Sequence, residues 1–272
     1  MTEGLPAPGE PRILMAELWF ESEPEIDRDR LLAQVRERLP ESELKPDGPV
    51  VVAHMRYLHT YADGETGPIV TAILEGDEDE RATSHERDTS QTYDWDEAGI
   101  VLQECGYRLV VTELFGRLHP YDRRVDAFRT TLNAAVALLA PDAVWLPNST
   151  RVVHTSALLE DPVAPFVNVR MFWVEDDPGV IVMDTLGLHA LALPDLQLHF
   201  RDLEPGRVAA ALYNLAAYVL EHGDVIESGH TVTGLEAGEH WPCQLEDALV
   251  GPDRLVLDID PGDPHAAGNR ER

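Results

Sequence analysis

The sequence predicts an α+β fold, a mostly antiparallel sheet with helices packed on it. Three observations carry this. Asp195 to Arg201 alternates strictly, with Leu196, Leu198 and Phe200 on one side and Asp195, Gln197 and His199 on the other, which is the period of a strand. The period then changes to that of a helix. Val208, Leu212, Leu215 and Val219 form one stripe, Pro205 suits the first helical position, and Gly223 suits the residue past the end. Thirdly, Asp176-Asp177-Pro178-Gly179 separates the apolar runs Phe166 to Val174 and Val180 to Asp184, as a hairpin turn does.

The remaining elements follow in order. Ile13 to Phe20 reads as a strand. Asp27 is a good N-cap for a helix from Arg28 to Leu39, with Leu31, Leu32, Val35 and Leu39 inside and Pro40 as the stop. Val50 to Leu58 and Pro68 to Leu74 read as strands around an Asp-Gly turn. Glu75 to Ser90 is dense in acids and reads as an exposed loop. Asp94 to Glu97 resembles a capping box opening a helix, in which Ala98, Val101, Leu102 and Cys105 face inward. Cys105 is thus expected as a core residue. Ala143 to Leu146 is a short apolar piece and Ala157 to Pro165 a linker. Pro242 to Val250 reads as a short helix, and Leu255 to Ile259 as a last strand. The organisation expected is a disordered N-terminus (1–11), an N-terminal α+β half (12–160), a C-terminal α+β half (161–260) and a disordered tail (261–272).

The plan of Pro194 to Val232 recurs in Val110 to Val153. Leu114-Phe115 answers His199-Phe200, Pro120 answers Pro205, and Leu132-Asn133-Ala134-Ala135 answers Tyr213-Asn214-Leu215-Ala216. The recurrence reads either as an internal duplication, giving two related halves, or as two unrelated strand–helix units.

Charge narrows the function classes. The 272 residues carry a formal net charge of −29, which opposes simple attraction to nucleic acid or an anionic membrane. It suits solubility or a basic protein partner. Lys45 is the only lysine beside the arginines. The two cysteines, Cys105 and Cys243, form no CxxC pair, and no signal peptide or spanning segment is legible, so a cytoplasmic protein is expected. No nucleotide-binding loop, metalloprotease motif or nucleophile elbow occurs. The histidines show no ligand spacing, so neither metal nor cofactor is expected.

One polar constellation stands out. Asn168 and Arg170 share a face of one strand, Asp184 ends the next, and Asp195, Gln197 and His199 share a face of a third. Aligned side by side, they would hold a ligand through charge-assisted hydrogen bonds, or run acid–base chemistry through His199. The plainer alternative is the wet face of an antiparallel sheet.

Phe166-Val167-Asn168-Val169-Arg170, Met183-Asp184-Thr185-Leu186-Gly187-Leu188 and Leu193-Pro194-Asp195-Leu196-Gln197 resemble the bacterial domain of unknown function 4261 family. Gln91-Thr92-Tyr93-Asp94-Trp95 and Gly229-His230-Thr231-Val232 are similar in style, so the resemblance spans roughly Ile13 to Pro261. It implies a bacterial, cytosolic-type globular protein and assigns no activity or catalytic residue. The leading expectation is therefore a non-enzymatic acidic protein-binding module of the immunity or adaptor kind. The alternative is a small-ligand binder or enzyme built on the face around Arg170, Asp195 and His199. A nucleic-acid mimic ranks last, because the acids gather in loops such as Glu75 to Asp88 rather than in rows.

Overall fold

The computed structural model describes residues 9–76 and 89–268. The fold is α+β, and the chain divides into two compact units, Ile13–Pro165, and Phe166–Arg272 together with Met1–Arg12.

The N-terminal unit contains β1 (Met15–Phe20), α1 (Arg28–Arg38), β2 (Ser42–Leu44), β3 (Val50–Thr60), β4 (Thr66–Glu75), α2 (Ala98–Glu104), β5 (Tyr107–Leu114), α3 (Tyr121–Leu139), β6 (Ala143–Leu146), β7 (Arg151–Val153) and α4 (Thr155–Glu160). Its seven-stranded sheet has the order β2-β3-β4-β5-β1-β6-β7, antiparallel throughout. α1 starts where expected, because the Asp27 carboxylate accepts the Arg30 N–H at 3.0 Å, and Leu31 and Val35 bury its inner face.

Strand register decides which helix takes which face. His54 pairs with Ile69, Ile73 with Val111 and Val111 with Ala16, so these side chains share one face. α3 lies there, and its Thr131 meets His54. Trp19 points to the other face, where α2 packs Ala98, Leu102 and Cys105 against Trp19, Ala143, Trp145 and Val152. Cys105 is a core residue, as expected.

The β5–α3 connection holds a buried ion pair. Glu113 takes the Arg124 guanidinium, both side chains being 1% exposed, and also accepts the Leu14 N–H at 3.0 Å. Phe115 turns the chain at φ 62°, and Gly116 lies directly against the Glu113 carboxylate. A Cβ at Gly116 would overlap that carboxylate, which Arg124 holds in place. Gly116→Ala should therefore cost about 1–3 kcal/mol, the usual penalty of overpacking, read as a lower urea midpoint for unfolding.

The C-terminal unit contains β8 (Asn168–Trp173), β9 (Val180–Leu186), β10 (Asp195–Arg201), α5 (Pro205–His222), β11 (Thr231–Thr233), β12 (His240–Asp247) and β13 (Leu255–Ile259). The sheet order is β11-β12-β13-β10-β9-β8, with β13 parallel to β10 and every other pair antiparallel. Glu204 caps α5 by accepting from Gly206 and Arg207, Pro205 opens the helix, and Gly223 ends it at φ 85°. Val208 and Leu212 face Leu198 and Ile259 of the sheet. Gly179 supplies the positive φ of the β8–β9 turn.

Several expectations are corrected. Pro242 to Val250 is not helical. His240–Asp247 forms β12, in which Trp241 and Cys243 are buried between the exposed His240, Pro242 and Gln244. The proposed linker from Ala157 begins inside α4. The capping box is absent, since α2 has no side-chain cap and Asp94 pairs with Arg151. The tail expected to be disordered folds back over residues 261–268. Ala266 bridges Phe200, and the Ala267 side chain is buried. β2, a short strand, was not foreseen. Most of the acidic loop from Glu75 to Ser90, and most of the N-terminal stretch, lie outside the described residues.

β3-β4-β5 and β8-β9-β10 are both antiparallel meanders, and α3 and α5 each pack across all three strands. Each meander leads into its helix through a residue of positive φ one place past the strand, Phe115 at 62° and Asp202 at 56°. The units differ beyond that point, since β1 runs antiparallel to β5 while β13 runs parallel to β10.

Candidate functional site

The polar constellation forms in the C-terminal unit because register aligns it. Arg170 lies opposite Asp184, Asp184 opposite Gln197, and Gln197 opposite Asp258, a row across β8, β9, β10 and β13. Asp195 shares the face of Gln197 two residues along. The face opposite α5 is therefore polar, yet it is not wet. Asp184, Asp195 and Gln197 are 0% exposed.

Arg254, just before β13, joins the row into a network. Its Nη2 donates to Asp184 at 2.7 Å and its Nε to Asp195 at 3.1 Å. Its remaining donors reach the carbonyls of Thr185, Val250 and Pro252. Arg170 grips Asp184 from the other side with a two-pronged pair, at 2.9 and 2.6 Å. Asp195 also accepts from the Thr185 hydroxyl at 3.1 Å, from the Leu188 N–H at 3.1 Å and from the Gly187 and His189 N–H groups at 3.4 Å, and it meets His189 Nδ1 at 2.8 Å. Asp195 thus pins the turn between β9 and β10. Gln197 donates to Asp258 at 3.2 Å and accepts from the Leu249 N–H at 2.8 Å, which ties down the β12–β13 loop.

The electrostatics follow from burial and these donors. At Asp195 burial pushes the carboxyl up, but the hydrogen bond and charge of His189, the charge of Arg254 and the Leu188 N–H outweigh it and leave the group below the usual carboxylate range. At Asp184 burial dominates and raises the carboxyl, against the pull of Arg170 and Arg254. Burial also pushes the two thiols up, Cys105 to about 12 and Cys243 to about 11, which removes the thiolate a nucleophile needs.

Of the predicted site residues, Arg170, Asp184, Asp195 and Gln197 meet in this network. Asn168 and His199 stand toward opposite ends of the same face, opposite Leu186 and Val182. His199 is half-buried, with Gly268 of the returning tail against its ring. Arg254, Asp258, Thr185 and His189 were missed. The alternation of Leu255, Leu257 and Ile259, which leaves Asp258 on the other face, offered a signal for Asp258, whereas Arg254 sits in a segment that reads as loop. Chemically, the arrangement is a lock. Each carboxylate is engaged by internal donors, and a base needs a free lone pair directed at substrate. Among the described residues no group of three or more His, Cys, Asp or Glu is arranged to hold a metal ion, and no helix is long and apolar enough to cross a membrane.

No curated protein and no solved structure gives a significant match to the chain. Residues 184–260 match the family described as Domain of unknown function (DUF4261). The matched stretch runs from Asp184 to the end of β13 and holds Asp195, Gln197, Arg254 and Asp258, while β8 with Arg170 lies outside it. Over residues 184–260 the chain is thus similar to the DUF4261 family.

Proposed function

We propose that this chain is a non-enzymatic acidic binding module, of the immunity or adaptor kind, whose partner is a basic protein. The observation that carries the reading is the formal net charge of −29. It cannot be neutralised inside the fold. The buried carboxylates Glu113, Asp184 and Asp195 already have arginine partners, and acids such as Glu23, Glu25, Asp63, Glu221 and Asp224 are exposed. A surface of this kind steers a basic partner and repels nucleic acid and anionic lipid. The closed Arg170–Asp184–Arg254–Asp195 network supports the non-enzymatic half of the reading. The buried, unpaired thiols of Cys105 and Cys243 support a cytoplasmic, reducing setting.

The test is affinity capture with the full chain at low and at high salt, followed by measurement of the captured protein's isoelectric point and affinity. A basic partner whose affinity falls as salt rises is expected, because screening acts over about 10 Å at 0.1 M salt. A partner held equally well at both salt concentrations, or one that is itself acidic, would overturn the reading.

A further inference from the structure

The N-terminal unit carries a groove that no element of the network uses. It lies between the β1–α1 connection, the start of β3, the end of β4 and the start of β5, with a volume of about 880 Å³. That is within the size of pockets that seat ligands or peptide side chains. Part of its lining is apolar and open. Ile26 and Tyr107 are half-buried and Leu74 is 38% exposed. Glu23, Glu25 and Glu75 line it, and all three are exposed.

The cations of the groove are held from within. Arg28 donates to the carbonyls of Gly48 at 2.8 Å and Lys45 at 2.6 Å, which fastens α1 to the β2–β3 loop. Arg108 pairs with the buried Glu17 at 3.1 Å and lies over the Trp19 ring. The groove thus combines apolar lining residues with three exposed glutamates, on walls fixed by Arg28 and Arg108.

We infer that this groove is the docking site for an extended segment of the basic partner, one in which arginine or lysine alternates with apolar residues. Charge complementarity selects that occupant. The aliphatic stems of arginine or lysine pack on Ile26 and Tyr107 while their heads reach Glu23, Glu25 and Glu75. A second copy of this chain brings its own net negative charge and fits badly. The inference rests on the acidic-module reading and names the surface that does the binding.

The experiment titrates the full chain into a fluorescein-labelled peptide of alternating arginine and leucine at low salt. The triple variant E23K/E25K/E75K is compared with E221K/D224K/E227K, which makes the same charge change on exposed residues of the C-terminal unit. Ile26→Ser tests the apolar lining without changing charge. We expect the wild type to bind, the groove triple to lose roughly tenfold or more, Ile26→Ser to weaken binding measurably, and the control to stay close to wild type. Equal losses in both triples would overturn the groove and leave the acidic-module reading intact, since binding would then follow net charge alone. Binding unaffected by the groove triple, or no binding by the wild type, would also overturn the groove, while the fate of the broader reading stays with the salt-dependent capture.

Discussion

Arg254→Met is expected to destabilise the C-terminal unit by about 3–5 kcal/mol, the cost of breaking a buried ion pair from one side. The size follows from what the guanidinium holds. Arg254 is 2% exposed and bridges Asp184 to Asp195, two carboxylates with no exposure of their own. Methionine fills much of the space but donates nothing. Asp184 keeps Arg170, and Asp195 keeps Thr185, His189 and its backbone donors. Two buried negative charges then face one buried arginine, and the carbonyls of Val250 and Pro252 lose their donor. Against a total stability of about 5–15 kcal/mol for a typical domain, such a loss leaves a large unfolded fraction. The control is Arg207→Met. Arg207 pairs with Glu236 at 2.8 Å, but the two side chains are 52% and 67% exposed, so solvent screens the pair and the expected change is at most about 1 kcal/mol. Urea unfolding followed by circular dichroism separates the cases. Equal midpoints for the two variants would show that the network contributes no more than a surface pair.

The network also shows what the sequence could reveal. Alternation in β10 placed Asp195, Gln197 and His199 on one face, and the hairpin turn placed Arg170 near Asp184, because strand period and turn chemistry are local properties. Whether the face was wet or buried was not local. It depended on Arg254, which arrives from a segment that carries no period, and on the β12–β13 loop, which seats Leu249 on Gln197. The same limit explains β12. His240–Asp247 lacks the β-branched residues that mark strands, and it became one by pairing with β13 and burying Trp241 and Cys243. The N-cap of α1 and the first helical position of α5, by contrast, were legible, since Asp27 and Pro205 act on their own first turns. The polar residues of the central strands read as a ligand face or a wet face, and the partners that bury them, Arg254 above all, come from outside those strands.

A second large effect is expected on acidification. His54 is 0% exposed, with its ring nitrogens at 3.1 Å from Ser42 Oγ and at 3.2 Å from the hydroxyls of Thr71 and Thr131. Burial lowers its pKa from 6.5 to about 4, and the nearby Asp126 offsets only part of this. The unfolded chain takes up the proton near pH 6.5, and the folded chain resists it until about pH 4. The stability contributed by neutral His54 is therefore fully present above pH ~6.5 and is lost as the pH falls toward ~4, at up to about 1.4 kcal/mol per pH unit and about 3 kcal/mol in all. His119, also lowered by burial and by His59, Arg123 and Arg124, acts in the same sense, so the wild-type curve alone does not isolate His54. His54→Gln does. The amide keeps hydrogen bonding with the hydroxyls but does not titrate, so the stability difference between wild type and variant should shrink steadily between pH 6.5 and 4. Urea unfolding of both proteins across that range measures it. A difference that stays constant with pH would mean that folded His54 binds its proton as readily as it does in the unfolded chain, and that Ser42, Thr71 and Thr131 accommodate the imidazolium.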